Sequence, residues 1–353
     1  AKAGDEAVEP AVFETVIQAA VIDVVRRQAE SGVDVVSDGE MSKLSYATYV
    51  SERLTGFEGD SPRRTPADLV DYPTFATRAA GARGTSSYRR PRCTGPVAVK
   101  DLQPLHDDLR RLAAALEVTP RTDAFMNAAS PGVIALFQPN DYYPSDDAYL
   151  AALADAMHTE YAAVVDSGRV LQVDAPDLAL GRHMQYRDLD DAGFRARAEA
   201  SVEALNHALR GIPPDRVRLH VCWGNYEGPH THDIPLERVL PVLLKAKVGV
   251  LSFEAANPRH AHEWRVFKDA HLPDNLVLMP GVLDSTTNFV EHPLLVMQRI
   301  CTFATIVGRE RVLAGSDCGF ASFAGFGTVD PDIAFAKLAA LSEGAALASE
   351  ELW

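Results

Sequence analysis

Short apolar segments, each closed by a polar or glycine-containing turn and followed by a stretch with helical spacing, recur along almost the whole chain. The apolar segments are VDVVSDGE at 33–40, GVIALFQPN at 132–140, RVLQVDAP at 169–176 and VRLHVCWG at 217–224. They continue with VGVLSFEA at 248–255, LVLMPGVLD at 276–284 and RVLAGSDCG at 311–319. Helical spacing runs over 11–31, 146–167, 191–210, 235–245, 260–270, 292–307 and 331–349. Strands this apolar are buried on both faces, and parallel neighbours need a crossover between them. The pattern therefore predicts an α/β fold with a parallel sheet inside a ring of helices. A (βα)8 TIM barrel needs one strand more than these, and the chain opens on a helix. The economical reading is a single barrel over 1–353 whose first strand lies upstream of residue 1. An open doubly wound sheet is the weaker alternative, because no Gly-rich dinucleotide loop follows any strand.

The stretch 56–95 breaks the rhythm. It is rich in Pro, Gly and Arg, and reads as a long excursion after strand two, with a hairpin reaching into GPVAVKD, lying over the barrel mouth. A plain surface insertion fits it equally well. The 353 residues are 47% hydrophobic, enough for a full core, and carry a formal net charge of -15. That charge argues against a nucleic-acid partner or an anionic membrane surface. No apolar run approaches the roughly 18 residues of a membrane span, and no signal peptide opens the chain. Four cysteines without paired spacing suit a reducing, cytoplasmic setting, where a cysteine beside a histidine is a ligand or a catalyst.

Four soft-metal ligand candidates end predicted strands. They are His220 and Cys222 in RLHVCWG, Glu254 in VLSFEAA and Cys318 in VLAGSDCG. His-x-Cys on an extended strand turns both side chains to one face, and barrel strand ends converge on one axis. Singly, each is an ordinary core residue. Together they match Zn²⁺, which takes nitrogen and thiolate ligands in a tetrahedron. Two thiolates and a carboxylate make an anionic site, poor at polarising a carbonyl and suited to holding a thiolate nucleophile. Cys93, in a loop, and Cys301, on an apolar helix face, read as packing residues.

At these residues the sequence resembles the cobalamin-independent methionine synthase family, specifically its C-terminal catalytic barrel. VSDGE, VLQVDAP, HVC, SFEA, PGVLD and SDCG follow the family's order nearly end to end. The resemblance implies His220, Cys222, Glu254 and Cys318 as zinc ligands. It places Glu40 and Asp174 where the family holds the amino group of homocysteine. Departures accompany it. Gln138 replaces the Trp of the folate site, Thr286 replaces the His that serves as proton donor, and Ala175 follows Asp174 where the family has an acid. One branch, the epoxyalkane:coenzyme M transferases, resembles this chain more closely in CWGNYEGPH and GVLDSTTNFVEHP.

Other side chains complete the expectation. Tyr226, His230 and His232 follow the metal strand and are candidates to protonate an alkoxide. Arg182 and Arg259 are candidates to hold an anionic thiol, and Asp284 to orient a ligand or substrate. The leading expectation is zinc-dependent alkyl transfer between a small-molecule thiol and an electrophilic alkyl donor, in the form of thiolate opening of an epoxide. The alternative is methyl transfer to homocysteine, giving methionine. A third reading, a non-catalytic zinc scaffold or sensor, predicts a closed site with no adjoining cavity. A homo-oligomer is compatible with the sequence, which contains nothing that fixes the assembly.

Overall fold

The computed structural model describes residues 9–62, 64–83, 89–119 and 123–353. Its helices are α1 (Pro10–Glu30), α2 (Val50–Arg53), α3 (Ala67–Asp71), α4 (Pro73–Arg83), α5 (Gln103–Val118) and α6 (Pro131–Phe137). They continue as α7 (Asp146–Asp166), α8 (Gly181–Met184), α9 (Asp191–Ala208), α10 (Leu236–Leu243), α11 (Pro293–Val307) and α12 (Pro331–Leu352). The strands are β1 (Val35–Val36), β2 (Phe57–Glu58), β3 (Arg92–Cys93), β4 (Asp123–Ala129), β5 (Val170–Asp174) and β6 (Val217–Val221). After them come β7 (Val250–Phe253), β8 (Val277–Leu283), β9 (Gly315–Ser316), β10 (Ala321–Phe323) and β11 (Phe326–Gly327).

Seven strands form one sheet in the order β1-β4-β5-β6-β7-β8-β9, every pair parallel. Val35 from one edge, Gly315 from the other, and Phe125, Arg218 and Met279 between them border a single interior cavity. The sheet is therefore curled, with its C-terminal strand ends gathered on one side, as in a TIM-like barrel. Among the described residues β1 and β9 do not pair, and no eighth strand joins them. The helical layer nevertheless joins behind the two edges. Arg27 pairs with Asp332 at 2.6 Å, and Ser342 Oγ donates to the Gly32 carbonyl at 3.0 Å.

Two expectations are corrected. GVIALFQPN is not a strand, since 131–137 is α6. Ser130 caps it by accepting from Val133 N at 2.9 Å, and Pro131 is fixed for a first helical turn. The strand at this point is β4, DAFMNAA, whose Asp, Asn and Ala residues hide it from a β-propensity reading. Gly132 in α6 is dictated by packing, because a Cβ there would lie 1.9 Å from the Asp177 carboxylate. Residues 260–270 form only a 3-10 turn over Glu263–Lys268. The amphipathic α5 was not expected, and it buries Leu105, Leu112 and Ala115.

The excursion is closed at its base by antiparallel β2–β3 pairing, extended by a Leu54–Val99 bridge. Its helix α3 reaches the loop after β6. Asp68, fully buried, accepts from Tyr226 Oη at 2.8 and 2.9 Å and from His230 N at 2.7 Å. No helix among the described residues is long and apolar enough to cross a membrane.

Candidate functional site

Alternation along β6 turns Arg218, His220 and Cys222 inward. His220 and Cys222 meet Cys318, which follows β9. One ligand atom from each of the three lies within 4.8 Å of the others, and all three are buried. Ser252 Oγ lies 3.3 Å from His220 Nδ1 and orients the ring. Glu254 stands beside this group rather than inside it. Its Oε1 is 3.8 Å from Cys318 Sγ and accepts from Trp223 N at 2.7 Å, and its Oε2 accepts from Asn257 Nδ2 at 2.6 Å.

The protonation pattern follows from crowding like groups. Hydrogen bonding from Cys318 pulls the Cys222 thiol well below its ordinary range, and His220 helps. The same contact, with burial, pushes Cys318 up. Burial and the Cys222 thiolate raise Glu254 to about 8. Cys222 therefore carries the negative charge of the cluster, faced by His220, while Cys318 and Glu254 are pushed towards their protonated forms by burial and by that thiolate. A soft divalent ion reverses that balance, and an N,S,S set with a carboxylate alongside suits zinc.

A cavity of about 1110 Å³ opens on the cluster. Glu40 and Asp174 both line it. Glu40 adopts a left-handed φ of 54° after Gly39, and its Oε1 accepts from the buried Lys43 Nζ at 3.1 Å. Asp174 accepts from Gln172 Nε2 at 2.8 Å and Asn127 Nδ2 at 2.9 Å. Register sets Asp174 directly beside His220.

The other candidates fall elsewhere. Tyr226 lines the cavity, but its hydroxyl is committed to Asp68. His230 does not reach the cavity; Nδ1 faces Asp233 Oδ2 and Nε2 faces the Tyr226 carbonyl, both at 2.9 Å. His232 is exposed and pairs with Asp71. Arg182 borders a separate hollow of about 190 Å³ beside His183 and His232. Arg259 is exposed on the turn after Glu254. Asp284 accepts from Thr286 N and Oγ1, each at 2.8 Å, and shapes its own loop. Asp317 ties the β9 end to the loop after β7 through Ala255 N, Ala256 N and Asn257 N, each at 2.8 Å.

Sequence reasoning missed Lys43, Asn127 and Arg218. The first two carry no motif. Arg218 was detectable, since it stands two positions before His220 on the strand whose alternation placed the ligands.

No family model matches the chain. Among curated proteins, methionine synthase from Sulfurisphaera tokodaii is 25% identical over 334 residues, covering 94% of this chain and 82% of that protein. Methionine synthase from Saccharolobus solfataricus is also 25% identical over 334 residues, covering 94% and 84%. Among solved structures, a B12-independent methionine synthase from a Shewanella species superposes with a TM-score of 0.71 at 19% identity, covering 98% of this chain and 91% of that one. These similarities run over nearly the full length of the chain and make it a homologue of the cobalamin-independent methionine synthase superfamily, with the superposition showing a shared fold.

Proposed function

We propose that this protein is a zinc-dependent transferase that moves an alkyl group to a small thiol, and that the thiol is homocysteine and the group a methyl. The carrying observation is the placement of Asp174 beside His220 at the wall of a cavity that opens on the His220–Cys222–Cys318 cluster. His220, Cys222 and Cys318 would hold the ion, with Glu254 the adjoining oxygen donor. When bound, zinc supplies the acidity that keeps a thiol deprotonated near neutral pH. The chain's own residues do the rest. Asp174, oriented by two amide donors, and Glu40 offer carboxylate oxygens to an ammonium group.

The epoxide reading loses its support at the proton donors. Opening an epoxide leaves an alkoxide that needs an acid, and the three residues expected to provide one are committed to Asp68, Asp233 and Asp71. The methyl-transfer reading agrees with the relatives' names and with the retained carboxylates. A closed scaffold site is at odds with the cavity. A single barrel over 1–353, with the 56–95 excursion over its mouth, remains the reading of the domain plan, and a cytoplasmic setting that of its location.

The test is metal analysis of the purified chain, followed by incubation with homocysteine and candidate methyl donors. About one zinc per chain and formation of methionine are expected. A metal-free preparation that turns over, or a zinc-loaded one to which homocysteine never binds, overturns the reading.

A further inference from the structure

One inward-facing side chain on the metal strand has no role in the chemistry above. Arg218 is 6% exposed and borders the same cavity. Its guanidinium carbon lies 3.9 Å from the centroid of the Phe125 ring, and Nη1 lies 3.5 Å from Met279 Sδ. Its Nε has no hydrogen-bond partner. Among the described residues no carboxylate lies within ion-pair distance of it. A ring face and a thioether soften a buried cation without neutralising it, and a guanidinium offers five donors in a fixed fork. Burying such a charge unpaired is costly, and a fork aimed into a cavity fits a planar oxyanion.

Register fixes what lies nearby. Gln172 pairs with Arg218 and Asp174 with His220, so the cation stands one inward rung below Asp174. Successive rungs are about 7 Å apart along a strand. An α-amino acid carries its ammonium and carboxylate on one carbon, and an anion and a cation one rung apart match that pair. We infer that Arg218 anchors the carboxylate of the thiol substrate, so that the cavity selects an amino-acid thiol between Asp174, Arg218 and the ligand cluster. This rests on the homocysteine reading for the ammonium end alone, since the carboxylate anchor applies to any anionic thiol.

The experiment uses the full chain loaded with Co²⁺, with thiol binding read from the sulfur-to-cobalt absorption. Four thiols are titrated: homocysteine, 3-mercaptopropylamine without the carboxylate, 4-mercaptobutyrate without the amine, and neutral 2-mercaptoethanol. The native chain should bind the two carboxylates about 10- to 100-fold tighter than their counterparts. Arg218→Gln should erase that preference, and Arg218→Lys should keep part of it, as a charge without the fork. A metal-independent arm measures melting temperature. L-methionine should raise it in the native metal-free chain and 3-(methylthio)propylamine should not, a difference lost in Arg218→Gln.

Equal affinity of the native chain for homocysteine and 3-mercaptopropylamine overturns the anchor, whether or not the variants fold. So does a preference that survives in Arg218→Gln. Binding of 4-mercaptobutyrate without homocysteine, lost in Arg218→Gln, supports the anchor and ends the homocysteine reading. Binding of homocysteine with a ratio untouched by Arg218→Gln does the reverse.

Discussion

Two buried polar clusters in this chain are built on opposite principles. Around Arg53 every charge meets its opposite. Arg53 pairs with Glu160 at 2.8 Å and Asp108 at 2.6 Å, Arg111 reaches Asp108 at 2.9 Å, and Tyr49 Oη donates to Glu160 at 2.6 Å. Around His220 acidic groups outnumber their partners, two thiols with a carboxylate alongside sharing the one imidazole. The matched cluster ties α2, α5 and α7 together. The second crowds acidic groups that a positive ion would relieve. The first arrangement is costly to break once formed, and the second is the kind that a bound ion stabilises.

The largest separation between the two should come from removing a thiol. Cys222→Ser or Cys318→Ser should cut bound zinc from about one per chain to a trace and lower alkyl transfer by about 10³-fold or more, while the chain stays folded. Metal analysis beside a circular-dichroism melt checks both parts. A variant that keeps its zinc and its rate would remove the cluster from the chemistry.

Arg53→Met should do the converse. Deleting one member of a buried ion network leaves Glu160 with the Tyr49 hydroxyl but no cation and Asp108 with Arg111 alone, at a cost of about 3–5 kcal/mol. Urea unfolding would show it, with zinc content unchanged in whatever remains folded. A loss under about 1 kcal/mol would mean that the matched cluster is not the structural one.

A third cluster, His230 with Asp233 and His260, tests the same distinction through pH. Both nitrogens of His230 face acceptors, so the ring must carry two protons to satisfy them. Burial alone would lower His230, but its hydrogen bond to Asp233 outweighs that and leaves it raised to about 9. An unfolded histidine titrates near about 6.5. The stabilisation is therefore fully present below about pH 6.5 and is lost as pH rises through about 9. A gap of that size is worth about 3 kcal/mol. Urea midpoints at pH 6 and pH 10 should differ more in the native chain than in His230→Gln, and equal differences would refute the assignment.

Legibility in the sequence followed the same divide. His220, Cys222 and Cys318 could be picked out because soft ligands at strand ends are rare and their spacing has geometric meaning. The alternation of apolar strands and helices was visible because parallel strands must be apolar on both faces. β4 was not, since DAFMNAA lacks β-branched residues and its identity comes from pairing with β1 and β5. The commitments of Tyr226 and His230 were invisible too. Asp68 lies 158 positions from Tyr226, and nothing in one chain says that the excursion will fold back onto the loop; Asp233 is only 3 positions from His230, but a loop without a regular period does not say that the two side chains turn towards each other.

That fold-back gives the smallest predicted effect. The Tyr226 hydroxyl donates to both oxygens of Asp68, a carboxylate with no solvent exposure, and so joins α3 of the excursion to the loop that leaves the metal strand. Asp68 keeps two other donors, the amides of His230 and Leu69, at 2.7 and 2.9 Å. Removing the hydroxyl therefore weakens the joint without abolishing it. Tyr226→Phe should cost about 1–2 kcal/mol in urea unfolding and speed proteolytic cleavage within 56–95. The joint belongs to neither kind of cluster, since it is fully satisfied yet borders the cavity. A variant as stable and as protease-resistant as the native chain would show that the excursion is held by its β2–β3 base alone, and that the contact between Tyr226 and Asp68 is incidental.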